Sequence, residues 1–316
     1  MAGKARNPFK YITGKTRVKE ISIAWGHFQG RGIPAIMIHG MSANHLCFLP
    51  IARALNSSGM DILAYDLRGR GQSDKPKGAY SSAIHAGDLR GLLRNPKIAK
   101  RFKKPLLIAH SLGAYAALEF LRLNPNDARG LVLLDGGARL TTAEQFRIYI
   151  MLRLSFIRLG RKFKDSEAYL KLIKNSPLIK QWTPDLETMI MYDMETTPEG
   201  VGLNIPLHVI ESELNSIGGS LNVARSIKSL YRNPTGGFAP VFNQIKIPVL
   251  VVRATQRNLF PGDSILTERG AREMVGEFPN AILKEVSANH YTILTQEQPE
   301  LNQLILDFAN SLPGKR

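Results

Sequence analysis

Ser111 lies in a pattern typical of a nucleophile. It is the central residue of the pentapeptide Ala-His-Ser-Leu-Gly at residues 109–113, which follows the apolar run 105–108 and precedes a helix-favouring Ala-Tyr-Ala-Ala-Leu segment. A strand, a sharp turn and a helix in this order lift a serine hydroxyl clear of its neighbours and place backbone N–H groups beside it. The turn requires small residues two positions before and after the serine, and Ala109 and Gly113 meet that requirement. The pattern therefore predicts a serine that attacks a carbonyl carbon.

A nucleophilic serine needs a base to take its proton, and two histidines lie well beyond Ser111 in the chain. His208 falls in an apolar helical pattern, where a packed or solvent-facing histidine is the better interpretation. His290 follows the apolar run 281–286 and precedes the last helical pattern, which places it in a loop. In a doubly wound sheet the base comes from a loop at the carboxyl ends of the strands, the edge that also carries the strand-to-helix turn. The sequence therefore predicts His290 as the general base.

Two further motifs precede this serine. His-Gly-Met-Ser at residues 39–42 follows one apolar run, and Asp-Leu-Arg-Gly-Arg-Gly-Gln-Ser at residues 66–73 follows the next. Together with the serine pentapeptide and the late histidine, these motifs resemble in type and order those of the α/β-hydrolase superfamily, in its branch of cap-bearing serine hydrolases of esterase and lipase type. The resemblance implies a triad of serine, histidine and acid. It also implies an oxyanion hole formed by the backbone N–H groups of Met41 and Leu112, each contributing about 10²- to 10³-fold to the rate.

This chain departs from the commonest pattern of the superfamily in the position of the acid that would orient His290. That acid usually lies after the strand that follows the cap, but residues 253–262 contain no carboxylate. Asp135 ends the apolar run 131–134, at the position that haloalkane dehalogenases use for their acid. Asp263 comes later and is expected to begin a helix, since aspartate is a good N-cap. We favour Asp135 as the acid, with Asp263 as the alternative.

The elements that must position these residues can be predicted from apolar runs that alternate with longer helical patterns. This alternation predicts an α/β fold with a mostly parallel sheet covered by helices on both faces. The first two runs, joined by residues 26–32, are predicted to pair as an antiparallel hairpin. The resemblance implies a doubly wound sheet of eight strands, with a helical cap inserted after strand 6. The runs predicted as strands are residues 18–25, 33–38, 61–65, 105–108, 131–134, 248–252 and 281–286.

One interval interrupts the alternation, because about 110 residues separate the fifth predicted strand from the sixth. A simple crossover needs only a few tens of residues, so the interval predicts an inserted domain. We therefore expect a core domain in two parts, residues 1–136 and 247–316, with a helical cap at residues 137–246. Apolar spacing predicts helices in the cap, and a Pro-Thr-Gly-Gly stretch predicts the return linker. These segments are residues 146–164, 169–173, 186–194 and 207–214 for the helices and 234–237 for the linker.

The composition limits the cellular compartments and the binding partners that are compatible with this chain. The chain has 316 residues, 44% of them hydrophobic, and a formal net charge of +16, which is most simply a solvated basic surface. Its single cysteine, Cys47, excludes an internal disulfide and a cysteine-based zinc site. No apolar segment has secretory or membrane-spanning length, which predicts a cytoplasmic protein. Metal, nucleotide and nucleic-acid-binding motifs are missing as well, so we expect no metal, no cofactor and no nucleic acid partner.

The basic segment 146–164 gives a second interpretation of the positive charge. A helix there would carry an apolar stripe with basic residues near the opposite face. Such a helix could rest on an anionic membrane surface, which would make the protein peripheral to a membrane. A cap helix packed on the core, with a solvated basic back, is the favoured alternative. The stripe consists of Ile148, Leu152, Phe156, Leu159 and Phe163, and the opposite face carries Arg147, Arg158, Arg161 and Lys162.

The reaction class depends on the residue at the turn. A serine there, in place of an aspartate, argues against the haloalkane dehalogenases and epoxide hydrolases of the superfamily, which form an alkyl-enzyme ester. We predict a hydrolase of carboxylic esters that forms an acyl-enzyme on Ser111 and accepts a small molecule with an apolar acyl chain. Carbon–carbon bond hydrolysis, thioester hydrolysis and acyl transfer are alternatives that use the same residues. A ligand-binding receptor on a hydrolase fold is the non-enzymatic alternative, which an intact Ser111 and His290 disfavour.

Overall fold

A central sheet organises the computed structural model, which describes residues 11–216, 242–259 and 263–313. The strands of the described residues are β1 (Tyr11–Val18), β2 (Ile21–Phe28), β3 (Pro34–Ile38), β4 (Asp61–Tyr65), β5 (Leu106–His110), β6 (Gly130–Leu134), β7 (Lys162–Phe163), β8 (Met194–Thr197), β9 (Gly200–Leu203), β10 (Val249–Ala254) and β11 (Ala281–Val286). Eight of them form one sheet in the order β1-β2-β4-β3-β5-β6-β10-β11. The pairs β1–β2 and β2–β4 are antiparallel, and the other neighbouring pairs are parallel. The predicted mostly parallel, eight-stranded sheet is confirmed.

Helices cover both faces of this sheet. The described helices are α1 (Leu49–Ser57), α2 (Ser82–Arg94), α3 (Pro96–Ala99), α4 (Leu112–Leu123), α5 (Thr142–Ser155), α6 (Ser166–Lys174), α7 (Pro184–Tyr192), α8 (Leu207–Ser216), α9 (Glu268–Glu277), α10 (Thr292–Thr295) and α11 (Pro299–Ser311). Successive strand residues point to opposite faces, so Ile36 and Ile38 enter one buried apolar cluster while Ala35 and Met37 enter the other. Strands buried on both faces give continuous apolar runs, which is why the sequence reveals the parallel strands.

The predicted hairpin between the first two apolar runs is wrong. Strand β2 lies between β1 and β4, so β2 and β3 are not neighbours. The hairpin turn lies instead at Lys19 and Glu20, inside the first predicted run. The apolar pattern does not reveal β1, because half of the residues of this edge strand are exposed and half are polar.

Between β6 and β10 the chain leaves the central sheet, and the described part of this interval contains strands as well as helices. Helices α6, α7 and α8 lie where helices are predicted, whereas α5 ends at Ser155 rather than near residue 164. Strands β7, β9 and β8 form a small antiparallel sheet in that order. Strands of two to four residues are too short to give an alternating pattern. The predicted linker at residues 234–237, and with it part of the predicted cap domain 137–246, lies outside the described residues.

The basic segment 146–164 packs against the core. Ile148 of α5 contacts one of the buried apolar clusters, and Phe156 belongs to it. Arg158, expected on the solvated face, is only 6% exposed and lies over the Tyr169 ring at 5.6 Å from its centroid. No helix within the described ranges is both long and apolar enough to cross a bilayer. The segment thus makes the contacts of a packed cap, and binding of its basic face to a membrane surface stays a prediction.

Candidate active site

The turn at Ser111 has the geometry that the sequence predicts. Strand β5 ends at His110, α4 begins at Leu112, and Ser111 between them has φ 53° and ψ −120°. A residue other than glycine rarely adopts a positive φ, and such strain concentrates at functional sites. Close contact between strand and helix also explains the small residue at Gly113, because a Cβ there would lie 2.3 Å from the Ile38 carbonyl oxygen. The turn therefore holds the serine hydroxyl at the carboxyl edge of the sheet.

Ser111, His290 and Asp135 form one chain of hydrogen bonds. The Ser111 Oγ lies 3.1 Å from His290 Nε2, and His290 Nδ1 lies 2.7 Å from Asp135 Oδ2. A carboxylate only accepts, so Nδ1 carries a proton and donates a hydrogen bond to Asp135. Nε2 is then unprotonated and accepts from the serine hydroxyl, which is what a general base requires. Of the two candidate acids, Asp135 is the one that contacts His290.

Asp135 is placed by the sheet itself. It follows β6 with φ 44°, and its backbone N–H donates to the Val252 carbonyl oxygen at 2.8 Å. Its Oδ1 accepts from the Ala254 N–H at 3.1 Å, so both carboxylate oxygens have partners. The next residue must be small, because a Cβ on Gly136 would lie 2.8 Å from the Ser111 Cα. Since β5, β6 and β10 are adjacent, the sheet brings the acid beside the serine-bearing turn.

Asp263 has a different place in the structure. Its carboxylate accepts from the N–H of Asn258 at 2.9 Å and from the N–H of Leu259. The side chain of Asn258 in turn accepts from the backbone N–H of His290 at 3.0 Å. Asp263 also does not begin a helix, because the Thr267 side chain caps α9. Asp263 therefore stabilises the loop at Asn258, and Asn258 in turn contacts the backbone of His290. The Asp263 carboxylate does not contact the imidazole.

His110 contacts His290, and the position of His110 next to the serine in the sequence does not predict this contact. Its Nε2 donates to the His290 carbonyl oxygen at 3.0 Å, and the two rings lie 4.4 Å apart between centroids. Burial, followed by the nearby charge of His290, lowers the pKa of His110 well below its ordinary value. His110 therefore stays neutral at neutral pH and adds no positive charge beside the His290 ring.

Met41 and Leu112, the predicted oxyanion donors, both lie beside Ser111. Leu112 is the first residue of α4, where backbone N–H groups have no partner within the helix. Met41 follows Gly40 in the loop after β3, and a Cβ on Gly40 would lie 2.9 Å from the Ser111 Cβ. The loop thus passes against the serine, and Met41 lines the same cavity as Ser111 and His290. The structure brings together all five residues predicted for the site.

Two largely apolar cavities lie side by side at this edge of the sheet. The first is about 90 Å³, and its wall contains Ser111 and His290 together with Ile148 and Leu152 of α5. The second, also about 90 Å³, is lined mainly by α6, α7 and the segment between them. The interval between β6 and β10 therefore supplies most of the wall of the second cavity and a smaller part of the wall of the first. The residues that line both are Ser42, Met189, Tyr291 and Thr295.

Comparison with known proteins gives matches over most of the chain. The sequence profile of the alpha/beta hydrolase family matches residues 35–301. A 2-(acetamidomethylene)succinate hydrolase from Mesorhizobium japonicum is 26% identical in an alignment of 238 residues that covers 73% of each protein. The crystal structure of E-2-(acetamidomethylene)succinate hydrolase has a TM-score of 0.70 and 21% identity, over 95% of this chain and 100% of that one. A thermophilic esterase from Thermogutta terrifontis has a TM-score of 0.60 and 19% identity, over 95% and 98%. These structural likenesses show the fold.

Proposed function

We propose that this chain, which belongs to the alpha/beta hydrolase family, hydrolyses carboxylic esters through an acyl-enzyme formed on Ser111. The Ser111 Oγ attacks the ester carbonyl carbon while its proton passes to His290 Nε2, and Asp135 stabilises the imidazolium. The N–H groups of Met41 and Leu112 stabilise the oxyanion. The bond to the alcohol oxygen then breaks, and that oxygen takes the proton from the imidazolium. Water attacks the acyl-enzyme in the same way and releases the acid and the free serine.

The observation that carries this proposal is the hydrogen-bonded chain from Asp135 to Ser111 at the wall of a cavity. Such a chain activates a hydroxyl only if the hydroxyl meets a substrate, and Ser111 lines the first cavity. His290 is 7% exposed and Asp135 is 1% exposed, so little water screens the charge that forms on the imidazole. A strained backbone at the serine, a shielded base and an adjacent pocket together support nucleophilic catalysis rather than ligand binding alone.

The lining of the cavities supports a small substrate with an apolar acyl chain. Beside the serine, the wall of the first cavity is formed by Ile148, Met151, Leu152, Ile265 and Leu294. The second cavity continues this apolar lining with Ile173, Leu178, Ile179, Leu186 and Ile190. Apolar walls with a few polar groups at one end orient a substrate by its reacting carbonyl. We infer that the acyl chain lies in the first cavity and that longer chains reach the second.

The test combines covalent labelling with turnover. A fluorophosphonate probe is expected to label the wild-type protein at Ser111, and a panel of p-nitrophenyl esters of increasing chain length is expected to be hydrolysed. Ser111→Ala is the matched control, since it removes one oxygen atom from the turn and should abolish both signals. Labelling at another residue, or equal turnover by Ser111→Ala, would contradict the proposal.

A second candidate function is hydrolysis of a carbon–carbon bond. The 26% identical relative is named for a substituted succinate and not for an ester, which favours a substrate bond other than an ester bond. The same serine, base and oxyanion donors would act on the carbonyl of a vinylogous diketone, with a carbon leaving group taking the proton. Turnover of such a diketone and of p-nitrophenyl butyrate by the same enzyme preparation separates the two. A kcat/KM at least about 100-fold higher for the diketone would replace the ester hydrolase assignment.

A further inference from the structure

Arg70 is the largest fully buried side chain of the described residues, and it contacts the loop that carries Met41. It lies in the loop after β4, and its side chain is 0% exposed. Its Nε donates to the Met41 carbonyl oxygen at 2.8 Å. Arginine is rarely buried to this extent unless its charge is paired. Burial lowers the pKa of Arg70 to about 10, which still leaves the guanidinium charged at neutral pH.

The charge of Arg70 is paired with Glu213 of α8, in the interval between β6 and β10. Glu213 is also 0% exposed, and its Oε2 accepts from Arg70 Nη2. Its Oε1 accepts from His85 Nε2 of α2 at 2.5 Å. Burial, followed by the charges of Arg70 and Arg68, lowers the pKa of His85 well below its ordinary value, so this histidine is a neutral donor. One positive and one negative charge therefore balance in the cluster.

His39 holds the same loop from the other side. Its Nδ1 donates to the Gly40 carbonyl oxygen at 2.7 Å, and its Nε2 accepts from the Leu67 N–H at 3.0 Å. Burial lowers the pKa of His39 to about 4, so this tautomer persists at neutral pH. The Gly40 carbonyl and the Met41 N–H belong to one planar peptide group. His39 therefore fixes the peptide that carries the Met41 N–H, and Arg70 fixes the peptide that follows it.

We propose that Arg70 is a positioning residue for the Met41 N–H and that, through Glu213, this positioning depends on the packing of α8 against the core. Two consecutive carbonyls of the loop are held by buried side chains, so the direction of the N–H between them is set. The guanidinium keeps its orientation only while it is paired with Glu213. Glu213 lies on α8, in the interval between β6 and β10 that also contributes lining residues to the cavities. Movement of α8 away from the core would therefore weaken the oxyanion hole while leaving Ser111 and His290 in contact. This inference rests on the proposed acyl-enzyme function.

The test is the double variant Arg70→Met/Glu213→Gln. It removes both charges together, so no unpaired charge stays buried, and the glutamine amide oxygen can still accept from His85. The variant thus removes the hydrogen bond from Arg70 to the Met41 carbonyl oxygen together with the ion pair to Glu213. We expect kcat for a p-nitrophenyl ester to fall between about 10- and 100-fold with KM unchanged, because a misplacement of about 1 Å has effects of this size. The affinity for a trifluoromethyl ketone, whose adduct with the serine bears an oxyanion, should fall by the same factor.

Two controls keep this test decisive. Glu211→Gln removes a charge from the same helix without touching Arg70 and should leave kcat and the ketone affinity unchanged. Rates are expressed per site titrated by the fluorophosphonate, so any unfolded fraction does not enter the comparison. A double variant with wild-type kcat and wild-type ketone affinity would overturn the positioning role. If the wild type hydrolyses no ester, the proposed function fails, and the rate of fluorophosphonate labelling at Ser111 tests the positioning role instead.

Discussion

The chain of hydrogen bonds at the candidate active site has a counterpart elsewhere in the molecule. Asp66 Oδ1 lies 2.7 Å from His45 Nδ1, and His45 Nε2 lies 2.8 Å from the Tyr11 hydroxyl. Carboxylate, imidazole and hydroxyl thus follow one another through the same atoms as in Asp135, His290 and the serine. The lengths of the bonds do not distinguish the two chains.

Their surroundings do distinguish them. Tyr11 lies on an edge strand and lines neither of the two cavities beside the serine. Burial, followed by the charge of Asp66, raises the pKa of its hydroxyl, which therefore stays protonated. Asp66 also accepts from the N–H of Gln72 at 2.9 Å and from the Tyr192 hydroxyl at 3.0 Å, so it ties three segments together. A hydrogen-bonded chain of carboxylate, histidine and hydroxyl can therefore be purely structural. Reactivity additionally requires that the hydroxyl lie on a strained turn, beside a cavity and near backbone N–H groups that can stabilise an oxyanion.

The largest expected effect comes from removing the two hydroxyls in turn. Ser111→Ala should lower kcat by about 10⁵- to 10⁶-fold, because no other group can form the acyl-enzyme. Tyr11→Phe should leave kcat unchanged and lower the free energy of unfolding by about 1 kcal/mol, the contribution of one hydrogen bond. Ester turnover and urea unfolding check the pair. A comparable loss of kcat in Tyr11→Phe would show that the second chain takes part in the reaction.

The next largest effect separates the candidate acids. Asp135→Asn should lower kcat by about 10⁴-fold, because an amide at this position no longer selects the imidazole tautomer that accepts from the serine. Asp263→Asn should lower kcat by about 10-fold or less, since Asp263 acts on His290 only through the backbone of its loop. Initial rates of both purified variants, normalised to the folded fraction by circular dichroism, give the ranking. The opposite ranking would move the acid to Asp263.

A smaller effect is expected from filling the second cavity. This variant tests the feature that distinguishes the two chains, because the Tyr11 hydroxyl lines neither cavity. Ile179 lines only the second cavity, and Ile179→Trp would occupy space there. We expect kcat/KM for long-chain esters to fall by about 10- to 100-fold, in line with the free energy of burying a few methylenes, and that for acetate to stay unchanged. The ratio of the two rates across a p-nitrophenyl ester series measures this. An equal loss for all chain lengths would mean that acyl chains do not reach this cavity.

The smallest effect concerns stability near the Tyr11 chain. Burial raises the pKa of Asp193 from its ordinary value of 3.8 to about 6, against the opposing charge of Arg158. A raised pKa in the folded state gives stability that is present below about pH 4 and lost as the pH rises through about 6. Asp193→Asn should therefore be more stable than the wild type above about pH 6, by roughly 1–3 kcal/mol, and equally stable at about pH 3.5. Unfolding midpoints at both pH values check this, and a less stable variant at about pH 8 would contradict it.

The candidate site was predictable from the sequence where its signals are local. Ser111 is revealed by its own strand, turn and flanking residues, and Asp135 and His290 each follow an apolar run that ends at the same edge of the sheet. Interactions between distant segments give no such signal. The Arg70–Glu213 pair joins residues 143 positions apart. The order of the strands is likewise set by β4 pairing between β2 and β3, which apolar runs alone do not determine.

The hydrogen bond between Asp135 and His290 joins residues 155 positions apart, across the whole interval between β6 and β10. During synthesis on the ribosome, the serine and the acid therefore emerge long before the base. The contact between Asp135 and His290 therefore forms only after β10 and β11 have joined the sheet. For the same reason, a proteolytic cut within the interval would leave Ser111 and Asp135 on one fragment and His290 on the other.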